Sequence, residues 1–232
     1  MNAPARIETT AARDIAAYRR VRAVMPDLAA GLSPEDLQAQ SMPDCSPGKW
    51  HLAHTSWFFE AMILASQPDY APVDDRFQTL FNSYYEALGA RVARAERGLM
   101  TRPSLAAVLD YRQEIDRRMV ARLNAGGLDG AQRYLLTLGL HHEQQHQELF
   151  LMDLLHLMSR SPLDPAAFEA EPRAEALQPA RGGHTRFAGG RVEIGAGAGG
   201  FAFDNERPAH PVWLQPFAMD HDLVSNGDWL RF

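Results

Sequence analysis

A single thiol, Cys45, is all the cysteine in this chain of 232 residues. One thiol excludes an internal disulfide and a thiolate-rich zinc site, so no oxidising compartment is required. The start of the chain lacks the charged stretch and apolar run of a secretory signal. No segment reaches the ~18 consecutive apolar residues of a membrane span. Positive charge is short as well: a formal charge of −6 offers no electrostatic footprint for nucleic acid. The arginines between residues 91 and 102 are interrupted by glutamate and apolar residues. They read as a solvated face or turn, with binding of a small anionic substrate as the other reading. The expectation is a soluble, cytoplasmic protein with no nucleic-acid and no membrane partner. Cys45, in Met-Pro-Asp-Cys-Ser-Pro, has no activating base beside it and is not expected to act as a nucleophile.

What is present is enough apolar surface for a real core, at 46% hydrophobic and 22% charged residues. Up to about residue 160 the apolar spacing is helical. A first helix is expected over residues 10–32, with a weak point at Pro26. Ser33-Pro34-Glu35-Asp36 reads as a capped start, because the serine oxygen accepts an amide bond and proline suits the first helical position. Ser46-Pro47 repeats that signal before a helix over residues 50–66. Thr101-Arg102-Pro103-Ser104 opens another, over 105–123, which Asn124-Ala125-Gly126-Gly127 ends. The last runs over residues 129–160. Four long helices in one domain predict a bundle over residues 10–160. Residues 161–181 are rich in Pro, Ala and Glu and read as a linker. From residue 182 to 232, glycine punctuates short apolar alternations, which is strand and loop grammar. About fifty residues is little for a β-rich domain without a disulfide or metal, so this end is expected to be truncated, or completed by another chain.

Chemistry concentrates in His141-His142-Glu143-Gln144-Gln145-His146-Gln147-Glu148. His142 and His146 lie four apart, so both rings leave one helix face. That face continues through Leu135, Leu138, Leu149 and Asp153, an apolar stripe that should face the bundle interior. On the helix near residue 54, His54 shares a face with Trp50, Trp57, Phe58 and Ala61. One inward histidine is ordinarily a hydrogen-bonded core residue; three on two helices all need partners away from water. A shared metal ion satisfies them together. His51, one turn before His54, could substitute for it. His141 points about 100° away from His142, and His156 falls off the ligand face. His51 and His141 are read as supporting or surface groups, and His51→Ala is expected to retain the metal. Gln145 could present an amide to whatever binds there. Glu143 is expected behind the ligands as a solvated helix charge.

Three metal chemistries compete. His142-Glu143-Gln144-Gln145-His146 matches the short zinc-peptidase pattern H-E-x-x-H, in which the glutamate activates a metal-bound water. Its longer continuation fails at Leu149 and Met152, and a downstream carboxylate would have to come from Glu169 or Glu171. Glu143-x-x-His146 also matches half of a di-iron site, without the second half. The third option is one ion held by three neutral histidines. It keeps its full divalent charge and open positions, which favours an anionic substrate ligand such as a thiolate together with dioxygen.

Residues 33–60 resemble the ergothioneine-biosynthesis sulfoxide synthases, the EgtB family, notably in Ser46-Pro47-Gly48-Lys49-Trp50-His51-Leu52-Ala53-His54-Thr55. So do Phe81-Asn82-Ser83-Tyr84-Tyr85, Arg97-Gly98-Leu99-Met100-Thr101-Arg102-Pro103-Ser104 and the His142 to Leu149 motif, all in the expected order. The resemblance implies a DinB-like four-helix bundle, followed by the opening of a formylglycine-generating-enzyme-like domain, an α+β fold related to C-type lectins. The matching stretches there are Gly189 to Gly195, Phe203 to His210 and Val224 to Leu230. The overall class expected is mainly α.

The resemblance further implies a non-haem Fe(2+) enzyme that joins the sulfur of γ-glutamylcysteine (or cysteine) to hercynine, consuming dioxygen and leaving a sulfoxide. By motif position the iron ligands fall on His54, His142 and His146. Gln145 matches a glutamine near hercynine, and Arg94 is taken from residues 91–97 as the arginine for the thiol substrate's carboxylate. The family's catalytic tyrosine lies in the later part of the second domain, which these residues do not include. The chain by itself is therefore expected to hold iron while coupling sulfur poorly. A DinB-like thiol S-transferase using zinc or nickel, and an inactive metal-binding remnant needing a partner chain, are the alternatives.

Overall fold

Helix starts follow the capping residues. The computed structural model describes residues 10–83, 90–126, 128–168 and 181–232. Helix α1 spans Thr10–Ala29 and absorbs Pro26 within its last turns. Ser33 opens α2 (Pro34–Gln38) with a reciprocal capping box to Asp36, as the sequence predicts. Helix α3 covers Gly48–Met62, followed by a short 3-10 turn at Leu64–Ser66, and α4 covers Phe77–Leu80. Helix α5 (Leu105–Asn124) starts at Ser104, whose Oγ accepts the Ala107 amide at 3.2 Å. Asp129 does the same for α6 (Gly130–Ser159), accepting the Gln132 amide at 2.8 Å.

Two expectations for α3 need correction. Ser46 does not cap α3: Pro47 occupies that position without a side-chain bond, and the Ser46 hydroxyl instead accepts from Arg97 Nη1 at 2.9 Å. The helix also stops at Met62 rather than 66, with the Ile63 amide bonded to the Phe59 carbonyl before the chain tightens.

Helices α1, α3, α5 and α6 form the bundle, and α3 packs against the other three. Residues 49–60 of α3 are buried without interruption, so this helix is enclosed on every side rather than along one stripe. Its partners show ordinary helical periodicity: Tyr18, Val21, Arg22, Met25 and Ala29 are buried on α1, and Val108, Tyr111, Arg112, Ile115, Met119 and Leu123 on α5. Gly139 lets α6 come close to α3, since a Cβ there would lie 2.6 Å from Phe59 and 2.8 Å from Phe58.

A fully buried helix must satisfy its polar side chains internally. Ser56 Oγ accepts from Arg22 Nη2 at 2.8 Å, and Thr55 Oγ1 from Arg112 Nη1 at 3.0 Å. Both arginines clamp Glu143, Arg22 Nη1 at 2.8 Å and Arg112 through Nη2. Glu143 is wholly buried, which corrects the expectation of a solvated charge. Two cations and one anion from three helices tie the bundle together around α3. Glu60, also wholly buried, accepts from Tyr111 Oη at 2.5 Å and Tyr70 Oη at 2.9 Å.

The chain divides into two compact units, Met1–Glu169 and Ala170–Phe232. In the second, β1 (His184–Phe187) pairs antiparallel with β4 (Phe217–Asp220), and β2 (Gly190–Ile194) with β3 (His210–Leu214). The pairs are nested, with β2 and β3 inside β1 and β4. Gly189 joins β1 to β2 at φ +73, where a Cβ would lie 2.3 Å from the Leu214 carbonyl oxygen, so only glycine fits. Phe187 and Phe217 stack across the strands at 4.8 Å. A short α7 (Asn226–Arg231) follows, with a capping box between Ser225 and Asp228.

Candidate metal centre

The centre is assembled from α3 and α6. Their close approach at Gly139 brings the His142 turn of α6 against the His54 turn of α3. His54, His142 and His146 each offer one nitrogen, and these atoms lie within 4.8 Å of one another. His54 Nε2 is 3.2 Å from His142 Nε2. Two nitrogens that each lie ~2.1 Å from one ion in octahedral or tetrahedral geometry are about 3.0–3.4 Å apart, so the spacing suits a shared cation.

The rings are held by aromatic walls. Trp50 stacks on His54 at 4.4 Å and 14°, with Trp57 on its other side at 5.5 Å and 17°. Phe58 stacks on His142 at 4.7 Å. Burial pushes all three imidazole pKa values down, His142 to about 4 and the other two well below their ordinary value, and neighbouring imidazoles lower His54 and His146 further. Uncharged rings at neutral pH are the form that ligates a metal.

The donor set passes a simple test of fit. His54 Nδ1 donates to the Phe81 carbonyl at 2.6 Å, so its Nε2 carries a lone pair. His142 Nδ1 is buried and has no hydrogen-bond partner among the described residues. Protein groups alone leave that ring under-satisfied, whereas a cation at the shared point gives the lone pairs a partner.

The cluster opens into a cavity of about 440 Å³ lined by Asp44, Ser46, Trp50, His51, Ser83, Arg94, Arg97, His142, Gln145, His146, Leu149 and Asp153. Both substrate-site expectations, Gln145 and Arg94, stand on this wall. Arg97 joins them, and its position departs from the solvated face expected for residues 91–102. It is buried, its guanidinium lies 3.5 Å over the Trp50 ring, and burial with repulsion from Arg94 and Arg91 brings its pKa down to about 10. Lining a cavity, Leu149 is half-exposed rather than core-facing.

Of the two readings of His51, supporting or surface, its burial favours the first. The ring has Nδ1 2.9 Å from His146 Nδ1 and Nε2 3.0 Å from Asp153 Oδ2. Residue spacing could not reveal that α3 presents two consecutive turns to α6; the signal available was Asp153 lying seven residues beyond His146 on the same face. Glu143, about 100° around α6 from His142, is held in its arginine clamp, which removes the catalytic base that the H-E-x-x-H zinc-peptidase pattern requires. Cys45 is buried, and burial raises its thiol pKa, in keeping with a non-nucleophilic role. His156 Nδ1 is bonded to Ser41 Oγ at 2.7 Å, away from the cluster. Tyr84, Tyr85, Glu169 and Glu171 lie outside the described residues. Among the described residues no helix is long and apolar enough to cross a membrane.

Residues 17–158 match the model of the DinB superfamily. This is more than half of the chain, and the chain belongs to that superfamily. A curated relative, a hercynine oxygenase of Mycobacterium tuberculosis, is 30% identical over 201 residues, which cover 85% of this chain and 45% of that protein. The chain thus spans less than half the length of the curated relative it matches. Both findings support the EgtB-family resemblance carried by the sequence motifs.

Proposed function

We propose that this chain carries the iron centre of an oxidoreductase that joins the sulfur of γ-glutamylcysteine (or cysteine) to hercynine and leaves a sulfoxide, with dioxygen as oxidant. The observation that carries this reading is the three-imidazole cluster at the wall of an arginine-flanked cavity, in a chain similar to a hercynine oxygenase. His54, His142 and His146 would hold Fe(2+). When bound, the ion supplies redox chemistry toward dioxygen and favours thiolate over thiol at its open positions.

The protein's own contribution is binding and orientation. Three neutral ligands leave the divalent charge uncompensated, so an anionic substrate is drawn to the centre. Arg94, on the cavity wall, suits a substrate carboxylate, and Arg97 adds fixed positive charge beside it. Gln145, one residue before His146, presents an amide that can hydrogen-bond an imidazole ring of hercynine. Trp50 and Leu149 keep part of the wall apolar, which strengthens these polar contacts by excluding water. Residues 182–232 are read as the opening of a formylglycine-generating-enzyme-like domain.

Anaerobic reconstitution tests the reading. One equivalent of Fe(2+) per chain is expected, with affinity lost by orders of magnitude in His54→Ala, His142→Ala and His146→Ala. Adding γ-glutamylcysteine should perturb the optical or paramagnetic spectrum of the iron, and Arg94→Ala should weaken that response. Tight zinc with no oxygen uptake would instead favour the thiol S-transferase, whose tetrahedral zinc the same three rings suit.

A further inference from the structure

Two of the three candidate ligands have their ring tautomer set by a protein acceptor, and the two devices differ. For His54 it is one bond to a main-chain carbonyl, from Nδ1 to Phe81 at 2.6 Å. For His146 it is a two-step chain. Asp153 Oδ2 lies 3.0 Å from His51 Nε2, and His51 Nδ1 lies 2.9 Å from His146 Nδ1. A carboxylate only accepts, so His51 Nε2 carries the proton. A neutral ring then has a lone pair on Nδ1, so His146 Nδ1 must donate to it. That leaves the lone pair of His146 on Nε2. His142 has no such device, because its Nδ1 has no partner among the described residues.

We infer that His51 and Asp153 are positioning residues: together they lock His146 as the Nδ1–H tautomer, so that its Nε2 lone pair is presented to the point shared with His54 and His142. The inference rests on the metal-centre reading and deepens it. Helix geometry makes the arrangement possible. His146 and Asp153 are seven apart, two turns along one face of α6, and His51 from α3 inserts between them. Asp153 is itself anchored, accepting the Ser46 amide at 2.8 Å, which ties the entry to α3 to the same carboxylate. Outer partners of this kind hold a ligand ring in orientation and raise its basicity, and their loss typically weakens metal binding by about 10- to 100-fold.

The test starts with metal-free protein. Two-bond proton–nitrogen correlation spectra of ¹⁵N-histidine-labelled chain, assigned with single-histidine variants, report each tautomer directly. His54 and His146 are expected as Nδ1–H, His51 as Nε2–H, and His142 as a mixture. His146 found as Nε2–H overturns the inference with no mutant needed. In titrations with Fe(2+) or Co(2+), His51→Ala and Asp153→Ala should bind about 10- to 100-fold more weakly. Asp153→Asn should recover most of the loss, since its amide oxygen can accept the same N–H. A purely structural Asp153 would lower the melting temperature of Asp153→Ala while leaving metal affinity and the His146 tautomer unchanged, which also overturns it. Wild-type chain that takes up no metal, yet shows the expected tautomers, would sink the iron reading and leave the ring-locking chain standing.

Discussion

The bundle and the strand-rich second unit are built with the same local devices and differ in what surrounds them. Both cap helices with a serine and an aspartate three residues on, Ser33 with Asp36 and Ser225 with Asp228. Both use arginine–carboxylate pairs. In the bundle, Arg22 and Glu143 are 2.8 Å apart with side chains 2% and 0% exposed. In the second unit, Arg191 and Glu193 are 3.7 Å apart with side chains 73% and 61% exposed. None of the described residues 181–232 is buried, and Trp213, Trp229 and Leu230 stand in solvent. A two-stranded ribbon is marginal in water without an apolar face packed on something. Burial, rather than the device itself, decides what a cap or an ion pair is worth.

Breaking the pairs is the strongest way to test that contrast. Glu143→Ala removes the anion shared by two buried arginines, leaving Arg22 only its pair with Asp116, and should cost about 3–5 kcal/mol. Glu193→Ala should stay within about 0.5 kcal/mol. Urea unfolding followed by helical circular dichroism reads the first, and amide exchange of the ribbon reads the second. Equal effects would show that burial is not the governing variable.

A glycine pair sharpens the same point inside the bundle. Gly139→Val drives a side chain into Phe58 and Phe59 and should cost about 1–3 kcal/mol, while also weakening metal affinity by pushing α6 away from α3. Gly130 has open space at its Cβ, so Gly130→Ala should be neutral or slightly stabilising and leave the metal site unchanged. Smaller again, Ser104→Ala removes the cap of α5 and should cost about 1 kcal/mol, seen as a lowered urea midpoint.

The least effect belongs to an exposed cluster. Hydrogen bonds from Arg117 and Arg118 bring the Glu114 carboxyl down to about 2, from an ordinary value of 4.5. Its folded pKa lies below its unfolded one, so the stabilisation is present above pH 4.5 and is lost as pH falls toward 2. Solvent screening keeps it under about 1 kcal/mol. In Glu114→Gln the acid limb of a stability–pH curve should be shallower by that amount.

Local chemistry was easy to read ahead. Ser33 and Ser104 announced their helices because a short acceptor before an apolar-periodic run has few other uses. His142 and His146 declared a shared face because four residues make roughly one helical turn. Ser46 misled, since a serine before proline looks like a cap until Arg97 is seen to take its hydroxyl. Glu143 and Arg97 misled for the opposite reason: charged residues are ordinarily solvated, and nothing in their immediate neighbours shows that Arg22 and Arg112, or the face of Trp50, wait across the core.

The amino-acid order alone determined the four long helices, the bundle class and three histidines facing inward, because capping and periodicity act within a few residues. Only tertiary packing decided that α3 is enclosed on all sides and that Gly139 draws α6 onto it. The same packing set His51 as the link between Asp153 and His146. Those outcomes depend on distances between helices far apart in the chain, and on whether a polar group ends up dry, where hydrogen-bond demands are strict, or wet, where water meets them.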